Sequence, residues 1–126
     1  ENAKLNNVEI EFIKADIFEY QSDKKYDIIV SNPPYVLESE KSLIKDNVLD
    51  FEPELALFVE EKKPLKFYDS ITNFCNFSLN ENGTIFFEIN NIQSSELIKS
   101  LTIQRFKSLV FKDYYGKNRF LIVRKL

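Results

Sequence analysis

The 126 residues contain no histidine, no methionine and no tryptophan, a single cysteine and two glycines, Gly83 and Gly116. Without histidine, every triad or zinc site built on imidazole is excluded. The lone Cys75 forbids a disulfide within the chain, which suits a reducing compartment. Neither glycine sits in a Gly-rich turn of the kind that lets a backbone approach a bound nucleotide. No apolar run approaches the roughly 20 residues that span a bilayer. The opening ENAKLNN has neither the basic flank nor the apolar core of a signal peptide. The net charge of −3 gives no basic field to gather nucleic acid. With Glu1 first and no methionine anywhere, the chain is expected to begin downstream of its initiator. What is present is globular: 44% hydrophobic residues are enough for one domain with its own core.

The hydrophobic pattern predicts an α/β order. Residues 1–7 read as the end of a helix that stops at Asn6-Asn7. Residues 8–16, VEIEFIKAD, alternate Val8, Ile10 and Phe12 with Glu9 and Glu11, a strand pattern ending near Asp16. YDIIVS, residues 26–31, has the continuous apolar centre of a strand covered on both faces. Residues 36–63 form a long charged loop, and a loop of that length in a compact domain marks function or disorder. Residues 65–79 carry Leu65, Tyr68, Ile71 and Cys75 at helical spacing, closed by Asn82-Gly83. TIFFEIN is a third strand, and SSELIKSLTIQ is a helix capped by Ser94 or Ser95. The last stretch reads as two strands joined across 113–118, with Gly116 in the turn. Alternation with helices predicts a mostly parallel sheet that closes in an antiparallel hairpin.

The stretch YDIIVSNPPYV stands out. An apolar strand stops on Ser31-Asn32 and enters a stiff corner, because Pro33 bars the helical region for Asn32 and Pro34 does so for Pro33. This SNPPYV signature resembles that of the release factor glutamine methyltransferases, and further segments resemble the same family. ENAKLNNVEIEFIKADIFE is similar to its second helix, third strand and the acidic residue that follows. NVLDFEPELALF is similar to its Glu-Pro-x-x-Ala-Leu segment, and DYYGKNRFLIV to its closing Asp-x-x-Gly-x-x-Arg hairpin. The resemblance covers essentially all 126 residues. It implies the C-terminal portion of a single Rossmann-like, class I methyltransferase domain, residues 1–126. The first two strands, the Gly-rich loop and the N-terminal helical domain of the family are absent from this sequence. Two departures are visible. VEEKKPL stands where the family often has Gly-x-x-Gly, and Ile17 stands where an aromatic residue is common.

The resemblance implies S-adenosyl-L-methionine as cofactor, a glutamine of a peptide chain release factor as substrate, and a cytoplasmic location. It assigns adenine contact to Asp16, packing on the ring to Ile17, and the methionine end of the cofactor to Asn32. The corner suits the chemistry. An amide nitrogen is a poor nucleophile, so it must be held in line with water excluded. The Asn32 side-chain carbonyl and the Pro33 backbone carbonyl would accept its two N–H groups. Pro33 and Pro34 stiffen the corner without adding N–H donors, and Tyr35 would lie over the planar group. No base need act before transfer, so the lack of histidine is no obstacle. Glu52 and Pro53 are expected to shape the wall beside the corner.

Plainer readings stand beside these. Asn-Pro-Pro also serves as a strand-terminating turn. Asp16 alone reads as a cap or loop residue. Glu88 ends a strand and reads as structural, Cys75 as core filler, Lys62 and Lys63 as solvated. The twelve phenylalanines fall at core-like spacings, which counts against a base-stacking surface. Rival functions are methylation of another protein glutamine, as on a ribosomal protein, adenine-N6 methylation of a flipped nucleic-acid base, and a non-catalytic fragment. With its glycine loop missing, the isolated chain is expected to be inactive. With its strand neighbours missing, it is expected to leave an open edge and to be marginally stable.

Overall fold

Tyr26–Ser31 (β1) carries Ile28, Ile29 and Val30 in succession. In the computed structural model, which describes residues 1–44 and 51–126 apart from the side chain at 43, it is one strand of a four-stranded sheet. The elements before and after the corner are short: one helical turn, Asn2–Leu5 (α1), then after β1 the pair Val36–Leu37 (β2), a 3-10 turn Glu38–Leu43, the turn Glu54–Leu57 (α2) and Phe58–Val59 (β3). The larger elements are Lys66–Ser78 (α3), Leu79–Glu88 (β4), Ser94–Ile103 (α4), Phe106–Lys112 (β5) and Asn118–Lys125 (β6). The sheet order is β1-β4-β6-β5. β1 and β4 are parallel, while β4–β6 and β5–β6 are antiparallel, so the sheet is mixed rather than mostly parallel. The expected hairpin is present, with Gly116 at φ 77 in its turn.

Both long helices lie on one face of the sheet. Tyr68, Ile71 and Cys75 of α3 and Leu97 and Leu101 of α4 pack on Ile85 and Phe87 of β4, Phe106 of β5, and Leu121 and Val123 of β6. The alternation of these strand residues at period two is what turns one set toward the helices. Burial pushes the Cys75 thiol up to about 12, in keeping with core filler.

Three further expectations change. Residues 8–16 form no strand, and Val8, Ile10, Phe12 and Ile13 are exposed. A strand requires a hydrogen-bonded neighbour, and this segment and β1 instead border a cavity of about 450 Å³ lined by Glu11, Ile13, Tyr26 and Ile28. The helix expected to close at Asn82-Gly83 ends at Ser78, and Leu79 is already extended. The β1–β4 register then jumps from Tyr26↔Leu79 to Ile28↔Thr84, so residues 80–83 bulge. Gly83 is required there by space: a Cβ would stand 2.7 Å from the Leu79 side chain and 2.9 Å from the Asn80 carbonyl oxygen. Finally, α4 is preceded by Gln93 as N-cap, and the Ser94 hydroxyl donates back to the Asn91 carbonyl at 2.8 Å.

The phenylalanines also divide. Phe87 and Phe106 are core, but Phe86, Phe111 and Phe120 face outward with Val30, Leu109 and Ile122. Register places Val30 beside Phe86, Phe86 beside Ile122, and Ile122 beside Leu109. One face of the sheet is therefore an apolar row across all four strands, with no described helix packed on it. The free edge of β1 adjoins it.

Two outcomes follow. Gly83→Ala should lower the urea midpoint by the equivalent of about 1–3 kcal/mol, because the Leu79 side chain must move; an unchanged midpoint would refute the close approach. The 126-residue chain alone should bind the dye ANS at neutral pH through the bare face. Absence of dye fluorescence, with a sharp melt, would refute that.

Candidate active site

The corner is built from β1 outward. β1 ends at Ser31, paired with Phe87 of β4, so Asn32 and Glu88 follow side by side at the carboxyl ends of two parallel strands. That is where open α/β sheets bind ligands. Asn32 is exposed, Pro33 buried and Tyr35 half-buried. Val36 and Leu37 then pair in parallel with Phe58 and Val59. The Glu-Pro-x-x-Ala-Leu segment thereby reaches the corner: α2 starts after Pro53 and runs directly into β3. Glu52 and Pro53 themselves are exposed, and residues 47–50 of the segment lie outside the described residues.

Tyr35 is anchored at both ends. Its backbone carbonyl accepts from Asn90 Nδ2 at 3.2 Å and from Gln93 Nε2 at 3.1 Å. Asn90 Nδ2 also reaches Glu40 Oε2 at 2.9 Å, and Glu40 accepts from the Leu37 amide at 3.1 Å. At the other end, the Tyr35 hydroxyl donates to Glu88 Oε1 at 2.7 Å and accepts from Arg119 Nη1 at 3.3 Å. Glu88 is itself fixed, since the buried Tyr68 hydroxyl donates to its backbone carbonyl at 2.9 Å. Arg119 Nε lies 3.3 Å from Asp113 Oδ2, while Asp113 Oδ1 accepts from the Tyr115 and Lys117 amides. The Lys117 amide, with help from Arg119, holds the Asp113 carboxyl below its usual range. Burial first, then the Glu88 hydrogen bond, pushes the Tyr35 phenol up to about 12.

Two clefts flank the corner. One, of about 350 Å³, is apolar and brings Ile17 together with Pro33, Pro34, Ile29 and Phe74. The other, of about 380 Å³, opens on the bare face and is lined by Asn32, Glu88, Phe111 and Phe120 among others. Asp16 does not sit at a strand end as expected. It opens a turn in which Glu19 and Tyr20 donate to its carbonyl, and its Oδ1 accepts from the Phe18 amide at 2.9 Å. Its carboxylate is exposed beside Ile17.

Glu88, which reads as structural in the sequence, joins the corner together with Asn90, Gln93 and Arg119, the last being the arginine of the Asp-x-x-Gly-x-x-Arg hairpin. Strand register carried the signal for Glu88, since pairing TIFFE with IIVSN in parallel sets Glu88 beside Asn32. The Asp-x-x-Gly-x-x-Arg spacing carried the other: Gly116 folds the turn so that Asp113 and Arg119 meet. Among the described residues, no group of three or more His, Cys, Asp or Glu could hold a metal, and no helix is long and apolar enough to cross a membrane.

Comparison with known proteins adds three findings. The methyltransferase small domain family model matches residues 1–55. A release factor glutamine methyltransferase of Flavobacterium psychrophilum is 44% identical over 124 residues, 97% of this chain and 44% of that protein. One of Bacteroides thetaiotaomicron is 40% identical over 130 residues, 98% of this chain and 47% of that protein. The chain thus spans less than half the length of these two relatives. The crystal structure of ribosomal protein L11 methylase from Lactobacillus delbrueckii subsp. bulgaricus superposes with a TM-score of 0.59 at 22% identity, over 99% of this chain and 50% of that one. That likeness shows the fold: a partial Rossmann-like sheet with an antiparallel end.

The raised Tyr35 phenol gives a sign-checked expectation. Its folded pKa lies above the unfolded value of 10.0, so the stability it contributes is complete below pH 10 and is lost as pH rises toward about 12. Denaturation midpoints should fall over that window, and Tyr35→Phe should flatten the fall. An identical alkaline profile in the variant would rule out this burial of the phenol.

Proposed function

We propose that this chain, 44% and 40% identical over nearly its whole length to two release factor glutamine methyltransferases, is part of an enzyme of that family, and that residues 1–126 form the acceptor-holding part of its S-adenosyl-L-methionine-dependent catalytic domain. It methylates the side-chain nitrogen of a glutamine in a peptide chain release factor, in the cytoplasm. The observation that carries the reading is the Asn32–Tyr35 corner, stiffened by two prolines at the carboxyl end of β1 and tied down at Tyr35.

Asn32 Oδ1 and the Pro33 carbonyl accept the two N–H groups of the glutamine amide. Their partial negative charge offsets the positive charge that grows on nitrogen as it is alkylated. Pro33 and Pro34 have no N–H to compete for the amide oxygen. Tyr35 packs against the planar amide and, kept protonated by burial, adds no charge of its own. The nitrogen loses one proton to water after transfer. The cofactor supplies the methyl group, bound as a sulfonium. The residues present suit its adenosyl half: Ile17 and the two prolines offer an apolar wall, and the exposed Asp16 carboxylate beside it suits a ribose or adenine donor. The cytoplasmic placement is supported by the single buried cysteine.

The test uses a polypeptide of the relatives' full length that carries residues 1–126. Incubated with S-adenosylmethionine and a release factor, it should place one methyl group on a glutamine, read in tryptic peptides by mass spectrometry. Asn32→Ala should lower kcat by about 10²-fold or more, the usual loss when a donor or acceptor aimed at developing charge is removed. Cofactor binding without any glutamine methylation would overturn the substrate assignment.

A further inference from the structure

A planar acceptor over which an aromatic ring must lie demands that the ring hold one orientation, and a tyrosine after two prolines does not guarantee that. The structure solves this by closing a loop of contacts at the phenol. Glu88 from the end of β4 accepts its proton at 2.7 Å, and Arg119 from the start of β6 donates to the same oxygen at 3.3 Å. Glu88 and Arg119 lie 3.9 Å apart, so the phenol oxygen is held against an ion pair. Neither residue is free to leave. The Glu88 backbone is pinned by Tyr68, the Arg119 carbonyl accepts from the Ile89 amide at 2.8 Å, and the guanidinium is held by Asp113.

We propose that Glu88 and Arg119 are positioning residues for the methyl-transfer reaction: they act through the Tyr35 hydroxyl to fix the ring against the acceptor amide, and Asp113 aims Arg119. This rests on the glutamine methylation reading above. The three side chains come from the end of β4, the hairpin turn and β6, so the orientation of Tyr35 is set by the sheet itself. The Asp-x-x-Gly-x-x-Arg hairpin thereby gains a role at the corner rather than in its own turn alone. Glu88 also lines the cleft that contains Asn32. Loss of its side chain would therefore let the ring tilt into the space the substrate needs.

The experiment uses the same full-length polypeptide in Glu88→Gln, Glu88→Ala, Tyr35→Phe and Tyr35→Phe/Glu88→Ala forms, with a release factor as substrate. Glu88→Ala should lower kcat by about 10- to 100-fold, the scale of a reacting group misplaced by an ångström. KM for the release factor and the affinity for S-adenosylmethionine should stay within about twofold. Glu88→Gln keeps an acceptor for the phenol and should recover much of the loss. In the Tyr35→Phe background the Glu88→Ala change should have no further effect, since the hydroxyl through which it acts is gone. Losses that multiply in the double variant overturn the proposal. A second readout needs no turnover: the Tyr35 ring NMR signals, assigned by their disappearance in Tyr35→Phe, should shift in Glu88→Ala. If the unaltered protein methylates no glutamine, the functional reading fails by itself, and the ring signals then judge the clamp. A shift supports it, and unchanged signals overturn it.

Discussion

Parallel pairing of β1 with β4 is the contact on which the site depends. Backbone hydrogen bonding from Ile28↔Thr84 to Ser31↔Phe87 brings the ends of two strands level. The next residues of each, Asn32 and Glu88, then come side by side. Everything beyond β1 is arranged around that coincidence. The prolines turn the chain away from the sheet, and Tyr35 swings back over β4 to meet Glu88. The entry to α4 supplies two amides for the Tyr35 carbonyl. A one-residue slip in the pairing would move Glu88 out of reach of the phenol and turn Ile85 and Phe87 out of the core. The register is protected because those two residues are fully buried under α3 and α4.

Local patterns were legible where one face of an element is buried within this chain. α3, α4 and the hairpin follow their hydrophobic spacing, because Tyr68, Ile71, Cys75, Leu97 and Leu101 find their partners here, whereas β1, whose continuous apolar centre reads as a strand covered on both faces, leaves Ile28 and Val30 exposed. Residues 8–16 have the alternation of a strand but no strand neighbour among the described residues, and pattern alone does not supply a hydrogen-bond ladder. Gly83 differs for a related reason. Asn-Gly after a helical run is a good stop signal, yet pairing of Leu79 with Tyr26 of β1 takes the chain into the sheet four residues earlier, and the glycine serves a bulge instead.

The corner was legible as a motif and opaque as a mechanism. Asn32, Pro33, Pro34 and Tyr35 are adjacent in sequence, so their proximity needed no fold. Glu88 and Arg119 lie 53 and 84 residues from Tyr35, and only sheet register brings them there. Asp16 shows the opposite limit. Its place at a strand end depended on a strand that the described residues do not form, and it takes up a local turn whose own amides satisfy it.

Why should a protein spend an ion pair on one phenol? Stability is a poor answer. The side chains of Glu88 and Arg119 are 30% and 29% exposed and stand 3.9 Å apart. A pair so placed contributes about 0–1 kcal/mol at most, since water screens it and two long side chains lose freedom to form it. The hydrogen bond from Tyr35 to Glu88 adds about as much again. Well-packed apolar residues around the Tyr35 ring would do better in pure energy. What an apolar pocket cannot give is direction. A ring in a greasy slot slides and tilts at little cost, whereas a hydroxyl between a carboxylate and a guanidinium has one place to sit. The backbone carbonyl of the same residue, taken by Asn90 and Gln93, fixes the other end of the lever. An aromatic residue held at both termini by charged or amide groups is a device for orientation, and orientation is what the proposed methyl transfer to an amide nitrogen requires.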